Sequence, residues 1–124
     1  MAEWLNIRER VYETLLPLGV PAMYMQWQPL DDGDRPPATY ITYQEMLAQG
    51  ELYSDDTPDV RGRYVLVDIW SVDATEGIAA MVREALEGAG FRARDERDIP
   101  EPETGTFHRA MSWVYYEEVG DNGG

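Results

Sequence analysis

The sequence contains a single histidine, His108, and no cysteine. A histidine works as a general base when a carboxylate orients it and a nucleophile lies within hydrogen-bond reach. Asp68, expected on a neighbouring strand, would be the orienting carboxylate. No serine or threonine stands in a recognisable nucleophile turn beside the pair. His108 therefore reads as a strand histidine on a sheet face or interface, and no catalytic residue is expected. Two acidic runs, Asp31-Asp32 with Asp34 and Asp55-Asp56 with Asp59, carry the oxygen ligands that hard cations take. Neither run has the ligand spacing or the terminal glutamate of an EF-hand loop. They read as solvated loop charge, with weak divalent-cation binding between subunits as the second reading, so no metal site is assigned.

Other chemistries fail on similar grounds. Gly88-Ala89-Gly90 closes a helix, whereas a phosphate-cradling loop must open one. No cofactor is expected. Trp27, Tyr40, Tyr43, Trp70, Trp113, Tyr115 and Tyr116 could stack on single-stranded bases, but such platforms sit in basic grooves. Here acids outnumber bases 24 to 10 and the formal net charge is −14. The aromatics are read as core and interface residues. All ten bases are arginine, which keeps bidentate pairing groups and omits flexible point charges; a GC-rich genome would produce the same bias. So acidic a chain is a poor direct ligand for a phosphate backbone.

Length and composition bound the rest. The 124 residues fit one domain, and 44% hydrophobic residues suffice for a core. The absence of cysteine excludes disulfides and thiolate metal sites. No run approaches the ~20 apolar residues of a membrane span. Met1-Ala2-Glu3-Trp4 carries an acid where a signal peptide carries bases. A protein made and kept in a cytosol, or in something assembled there, is expected.

The elements that must position these residues follow from periodicity. Trp4, Ile7, Val11, Leu15 and Leu18 recur at helical spacing, predicting a helix from about Glu3 to Leu16 that Pro17 and Gly19 end. Ala22 to Gln28 is a candidate strand, with Met23, Met25 and Trp27 on one face. Residues 29–37 are a loop. Thr39 to Met46 alternates, setting Tyr40, Thr42 and Gln44 opposite Ile41 and Tyr43. An acidic loop follows, and Arg63 to Ser71 is the strongest strand, apolar on both faces and so expected to be central and covered on both sides. Asp73, three residues before Glu76, has the spacing of a capping box for a second helix. Its stripe is Ile78, Met81, Val82, Ala85, Leu86 and Ala89, stopped by Gly88 and Gly90. Phe91 to Asp98 is a charged edge strand, ended by Pro100 and Pro102, and Thr106 to Glu117 is the last strand. The fold class is α+β, a two-layer domain with two helices on a mainly antiparallel sheet. It spans residues 1–119, with 120–124 as a flexible tail.

The order of fragments carries a resemblance. An opening amphipathic helix is followed by PATYITYQE at 37–45, YSDD at 53–56 and YVLVDIWS at 64–71 running into a capped helix. EGAGF at 87–91 and TFHRAMSW at 106–113 complete the series. In this order over residues 4–116 the chain resembles the tail-completion, or tail-terminator, proteins of long-tailed bacteriophages. The resemblance implies a sheet flanked by helices and a homo-oligomeric ring, usually of six copies. That ring ends the tail tube, meets the tail-tube protein on one side and the head-completion or stopper protein on the other, and lets DNA through without specific binding. It implies a virion location in the tail or neck, after synthesis in the bacterial host cytoplasm. It carries no catalytic residues.

Charge fits that role, because an acidic lumen repels passing DNA. The loop from Gln49 to Asp59, with Glu51, Tyr53, Asp55, Asp56 and Asp59, is expected to face the lumen or a neighbouring subunit. Arg8, Arg61, Arg63 and Arg109 are expected partners for acids on adjacent subunits, with Tyr53, Trp113 and Tyr115 as anchors. Two rivals share the composition. One is another neck component, a head-closure or minor tail protein. The other is an acidic DNA-mimic inhibitor, which would space its carboxylates like phosphates along one surface rather than cluster them in loops. A small hydrolase has only His108 in its favour.

Overall fold

The computed structural model describes residues 6–25, 37–46 and 60–118, with the side chains of 62–116 in the last segment. Trp4, Trp27, the acidic runs at 31–34 and 49–59, the side chain of Arg61 and the tail at 120–124 lie outside them. The elements are α1 (Ile7–Leu15) with a 3₁₀ turn (Leu16–Leu18), β1 (Ala22–Tyr24), β2 (Thr39–Met46), β3 (Val60–Ser71), α2 (Glu76–Gly88), β4 (Arg92–Ile99) and β5 (Phe107–Glu118). The five strands form one sheet in the order β1-β2-β3-β5-β4. Only β1 runs parallel to its neighbour; every other pairing is antiparallel. The fold is α+β, as the helix and strand periodicities imply.

Register sorts side chains by face. Ile41, Ile69 and Arg109 lie opposite one another across β2, β3 and β5, as do Tyr43, Val67 and Met111. This face meets the helices: Ile7, Val11 and Leu15 of α1 and Ala79, Val82 and Leu86 of α2 are buried with Ile41, Val65, Val67, Ile69, Met111 and Trp113. Each large apolar side chain so buried contributes about 1.5–3 kcal/mol. The second face carries Tyr40, Thr42 and Gln44 of β2, Tyr64, Leu66, Asp68 and Trp70 of β3, and His108, Ala110, Ser112 and Val114 of β5.

Local chemistry sets the helix ends. Asn6 caps α1 by accepting from the Glu9 N–H at 3.1 Å. Pro17 does not stop the chain but sits in the 3₁₀ turn, where its missing N–H costs nothing, and Gly19 ends that turn at φ +76°. At the end of α2, Gly90 takes φ +100°, and the Phe91 N–H reaches the Leu86 carbonyl at 2.9 Å. This is a Schellman-type ending, with Phe91 buried against the core.

Four expectations change. β1 covers Ala22–Tyr24, after which Met25 turns to φ +70° and donates its N–H to Tyr43 O at 2.7 Å; residues 26–28 of the expected strand lie outside the described residues. Asp73 is not the cap of α2: Thr75 holds that position without a side-chain bond, and the Asp73 N–H is taken by Ser71 Oγ at 3.0 Å. The buried stripe of α2 centres on Ala79, Val82 and Leu86, leaving Met81 exposed. β3 is central, but the helices cover only one of its faces, and Leu66, Asp68 and Trp70 on the other are half-buried.

Candidate functional site

Three strands bring the chemistry-bearing residues together on the helix-free face. His108 of β5 pairs across to Trp70 of β3, which pairs to Tyr40 of β2. Cross-strand neighbours on one face lie close enough for rings to meet. The imidazole stacks on Trp70 with centroids 3.7 Å apart and planes at 13°, and Trp70 stacks in turn on Tyr40 at 6.0 Å and 8°. The Trp70 indole N–H donates to Thr42 Oγ1 at 3.0 Å. With ring faced against ring, this row cannot admit a nucleobase between Trp70 and either neighbour.

Carboxylates hold the imidazole from both sides. Nε2 lies 2.7 Å from Asp68 Oδ1, and Nδ1 lies 3.3 Å from Glu101 Oε2. Burial raises the Asp68 carboxyl above its ordinary value of 3.8, and the bond with His108 opposes that shift. Glu101 is presented by the β4–β5 turn, in which the Thr104 and Gly105 N–H groups both reach the Glu101 carbonyl. The Asp68 partner is the one that strand placement suggests. Glu101 is not anticipated, although its place in the short connection of a hairpin puts it near the start of β5.

A base must offer a nitrogen to the group it deprotonates, and both nitrogens of His108 are occupied by carboxylates. A cleft of about 500 Å³ adjoins the site between the start of α2 and the β4–β5 turn, lined by residues that include Pro100, Pro102, Thr106, Phe107 and His108. Thr106 is the nearest exposed-side hydroxyl in sequence, yet the ring nitrogens face Asp68 and Glu101. Among the described residues no group of three His, Cys, Asp or Glu side chains is placed to hold a metal ion.

The arginines expected to reach other subunits are engaged within their own chain where their side chains are described. Arg8 lies 3.9 Å over the Tyr24 ring. Arg63 Nε meets Glu45 Oε2 at 2.7 Å. Arg109 bonds Asp98 at 2.8 Å and Glu96 at 3.1 Å and reaches Glu76 at 3.3 Å, and the Asp98 bond holds its guanidinium above its ordinary value. Trp113 is 1% exposed and belongs to the core, so it is no surface anchor. Tyr115 is partly buried, packed on Phe91 at 5.2 Å and beneath Arg10 at 4.8 Å. Arg10 also donates to the carbonyl of Ala89 at 3.2 Å, a cation placed at the negative end of α2.

Arg92, Arg94 and Arg97 carry a signal that sequence periodicity misplaces. A register shift between Ala93 and Asp95 makes Arg94 an extra residue in β4. Beyond it, Arg97 joins Arg92 and Arg94 on the helix-free face, while Glu96 and Asp98 turn toward Arg83 and Arg109. Arg92 sits 5.5 Å from the Tyr116 ring and Arg94 4.9 Å from the Tyr64 ring. An acidic chain thus has a basic strip along one sheet edge. No helix of the described residues is long and apolar enough to cross a membrane. Compared with family models and with curated proteins, the chain matches none.

Proposed function

We propose that the chain is a non-enzymatic structural subunit of a long-tailed bacteriophage neck, a tail-completion protein. Copies of it form a ring, of six by the family resemblance, on the head-proximal end of the tail tube. The ring stops tube growth, receives the head-completion protein, and passes DNA without specific contacts. The observation that carries this reading is the sheet's two-sidedness. Both described helices pack on one face, and the other, where Thr42, Tyr64 and Val114 are buried, keeps half-buried Tyr40, Leu66 and Trp70 with no described helix against them. A face of that composition suits contact with protein. The double occupancy of the His108 nitrogens weighs against a hydrolase, and the net charge of −14 weighs against a DNA-binding role.

The test is electron microscopy of the gold-labelled chain mixed with tubes of its cognate tail-tube protein. Label confined to one tube end, as a ring with a central hole, is the expected result. Bare tubes with a folded chain would sink the reading. Binding to the head-side neck proteins would then favour a head-closure component, and salt-sensitive capture of a DNA-binding enzyme would favour a DNA mimic. A companion test neutralises Asp55 and Asp56 together: normal rings and full infectivity would remove the lumen assignment of the 49–59 loop.

A further inference from the structure

We infer that the ring contact is head-to-tail, with the arginine-edged sheet face of one copy receiving the glutamate-bearing helical layer of a second copy. This rests on the ring reading and names the surfaces that would make it.

The receiving face is a broad depression of about 1000 Å³ whose lining includes Met46, Leu66 and Ile99, with Arg94 and Arg97 at its edge; three carboxylates also line it, of which Glu45 is paired to Arg63, Asp68 to His108 and Asp95 to Arg97. Arg92 and Arg94 make no direct ion pair among the described residues; each lies over a tyrosine ring, and Arg94 acts on the neighbouring Asp95 only through its charge. Arg97 meets only Asp95, in a pair whose side chains are 70% and 57% exposed. The edge is therefore locally cationic in a chain whose formal charge is −14.

The helical layer is its complement. Glu9 and Glu13 of α1 and Glu84 and Glu87 of α2 are exposed, and none has an ion-pair partner among the described residues. Of the arginines of the two helices, Arg83 pairs with Glu96 and Arg10 donates to the Ala89 carbonyl, which leaves Arg8, over the Tyr24 ring, as one exposed cation beside four carboxylates. Apolar surface accompanies the acids. Met81 is 39% exposed and borders, with Leu18 and Glu84, a second depression of about 340 Å³; Leu16 is 57% exposed.

Charge decides the symmetry of the contact. Two sheet faces placed together would oppose arginine to arginine, and two helical layers glutamate to glutamate, and like charges across an interface are costly. Only the crossed pairing brings opposite signs together. A contact between two different patches is heterologous, and it closes into a ring when its rotation divides the circle.

The experiment is sedimentation velocity on the full chain at about 0.15 M salt, where charges beyond about 8 Å are screened. Wild type is compared with Arg92→Glu/Arg94→Glu, with Glu84→Arg/Glu87→Arg, and with all four changes in one chain. All eight side-chain positions across the two copies are exposed, and circular dichroism checks the fold. Each double reversal is expected to weaken self-association at least about tenfold, and the fourfold swap to restore it to within about threefold of wild type. A wild type that stays monomeric to millimolar concentration, unaltered association in the reversals, or no rescue by the swap would overturn the inference. So would arginine reversals that abolish binding of a single-stranded oligonucleotide while leaving sedimentation unchanged. Rings on tube ends from chains whose swap fails would leave the ring reading standing without this contact. Swap-dependent association beside bare tubes would keep the contact and remove the tail role.

Discussion

The imidazole of His108 lies 2.7 Å from the Asp68 carboxylate, diagonally across β5 and β3 on the sheet face that the helices leave uncovered. The side chains are only 9% and 14% exposed, so the bond works in a partly desolvated setting. Glu101 on the opposite nitrogen and Trp70 against the ring plane complete the enclosure. With Asp68 on one nitrogen and Glu101 on the other, the imidazole clamps the β4–β5 turn to the sheet.

Replacing His108 with Ala leaves the Asp68 carboxylate half-buried without its bond and removes the stack on Trp70. Loss of one partner of such a pair costs about 2–4 kcal/mol. Urea denaturation followed by tryptophan fluorescence measures it. A loss below about 0.5 kcal/mol would mean that the clamp contributes nothing.

Asp68 also sets a pH dependence. Its folded-state carboxyl is raised above 3.8 by burial, so the native chain holds that proton more tightly than the unfolded chain. The associated stability is complete below the unfolded value and is lost as pH rises through the raised folded value. Asp68→Asn keeps an oxygen acceptor for His108 but does not titrate. The stability of wild type relative to Asp68→Asn is therefore expected to fall as pH rises from below the ordinary value of 3.8 through the raised folded value. Urea midpoints across that range supply the comparison, and a difference that does not change with pH contradicts it.

Gly90 ends α2 at φ +100°, and a Cβ added there would lie 3.1 Å from the Tyr115 ring. Gly90→Ala is expected to cost about 1–2 kcal/mol, from backbone strain and from displacement of a ring that packs on Phe91. Thermal unfolding should reveal a lower midpoint. Gly77, inside α2 with open space around its Cβ position, is the control: Gly77→Ala should stabilise by roughly 0.5–1 kcal/mol.

Arg109 joins β5 to Asp98 and Glu96 of β4 and to Glu76 of α2. Its carboxylate partners are largely open to water, so Arg109→Gln is expected to lose only about 1 kcal/mol, less in 1 M salt. Because these bonds lie within one chain, the loss should appear in monomer stability at any protein concentration. An unchanged monomer with weakened self-association would instead assign Arg109 to a neighbour.

Much of the architecture was legible from side-chain periodicity. The alternation of Thr39–Met46 sorts Ile41 and Tyr43 to the helix-covered face and Tyr40, Thr42 and Gln44 to the other, because successive strand side chains point to opposite faces, although Thr42 is buried as well. The run YVLVDIW is central as expected, and the charges of Arg92 to Asp98 mark an edge. Boundaries were less legible. Asp73 has the right spacing for a cap, but a local bond from its N–H to Ser71 competes with that role. The parallel run of β1 is set by its partner rather than by its own three residues.

Residue types and spacing by themselves determined the α+β class, the two helices, the absence of disulfides and the solitary histidine with Asp68 as its natural partner. Only the tertiary structure decided what those residues can do. Glu101 reaches the second nitrogen of His108 through the turn that precedes β5, and that contact ties the turn to the sheet. The extra residue Arg94 shifts β4 by one position, so Arg92, Arg94 and Arg97 share the second face with Asp95, while Glu96 and Asp98 turn to Arg83 and Arg109. Simple alternation would have placed Arg92, Arg94, Glu96 and Asp98 together. A one-residue slip reverses every side chain beyond it, and pairing between strands, not the order of residues within one, determines where that slip falls.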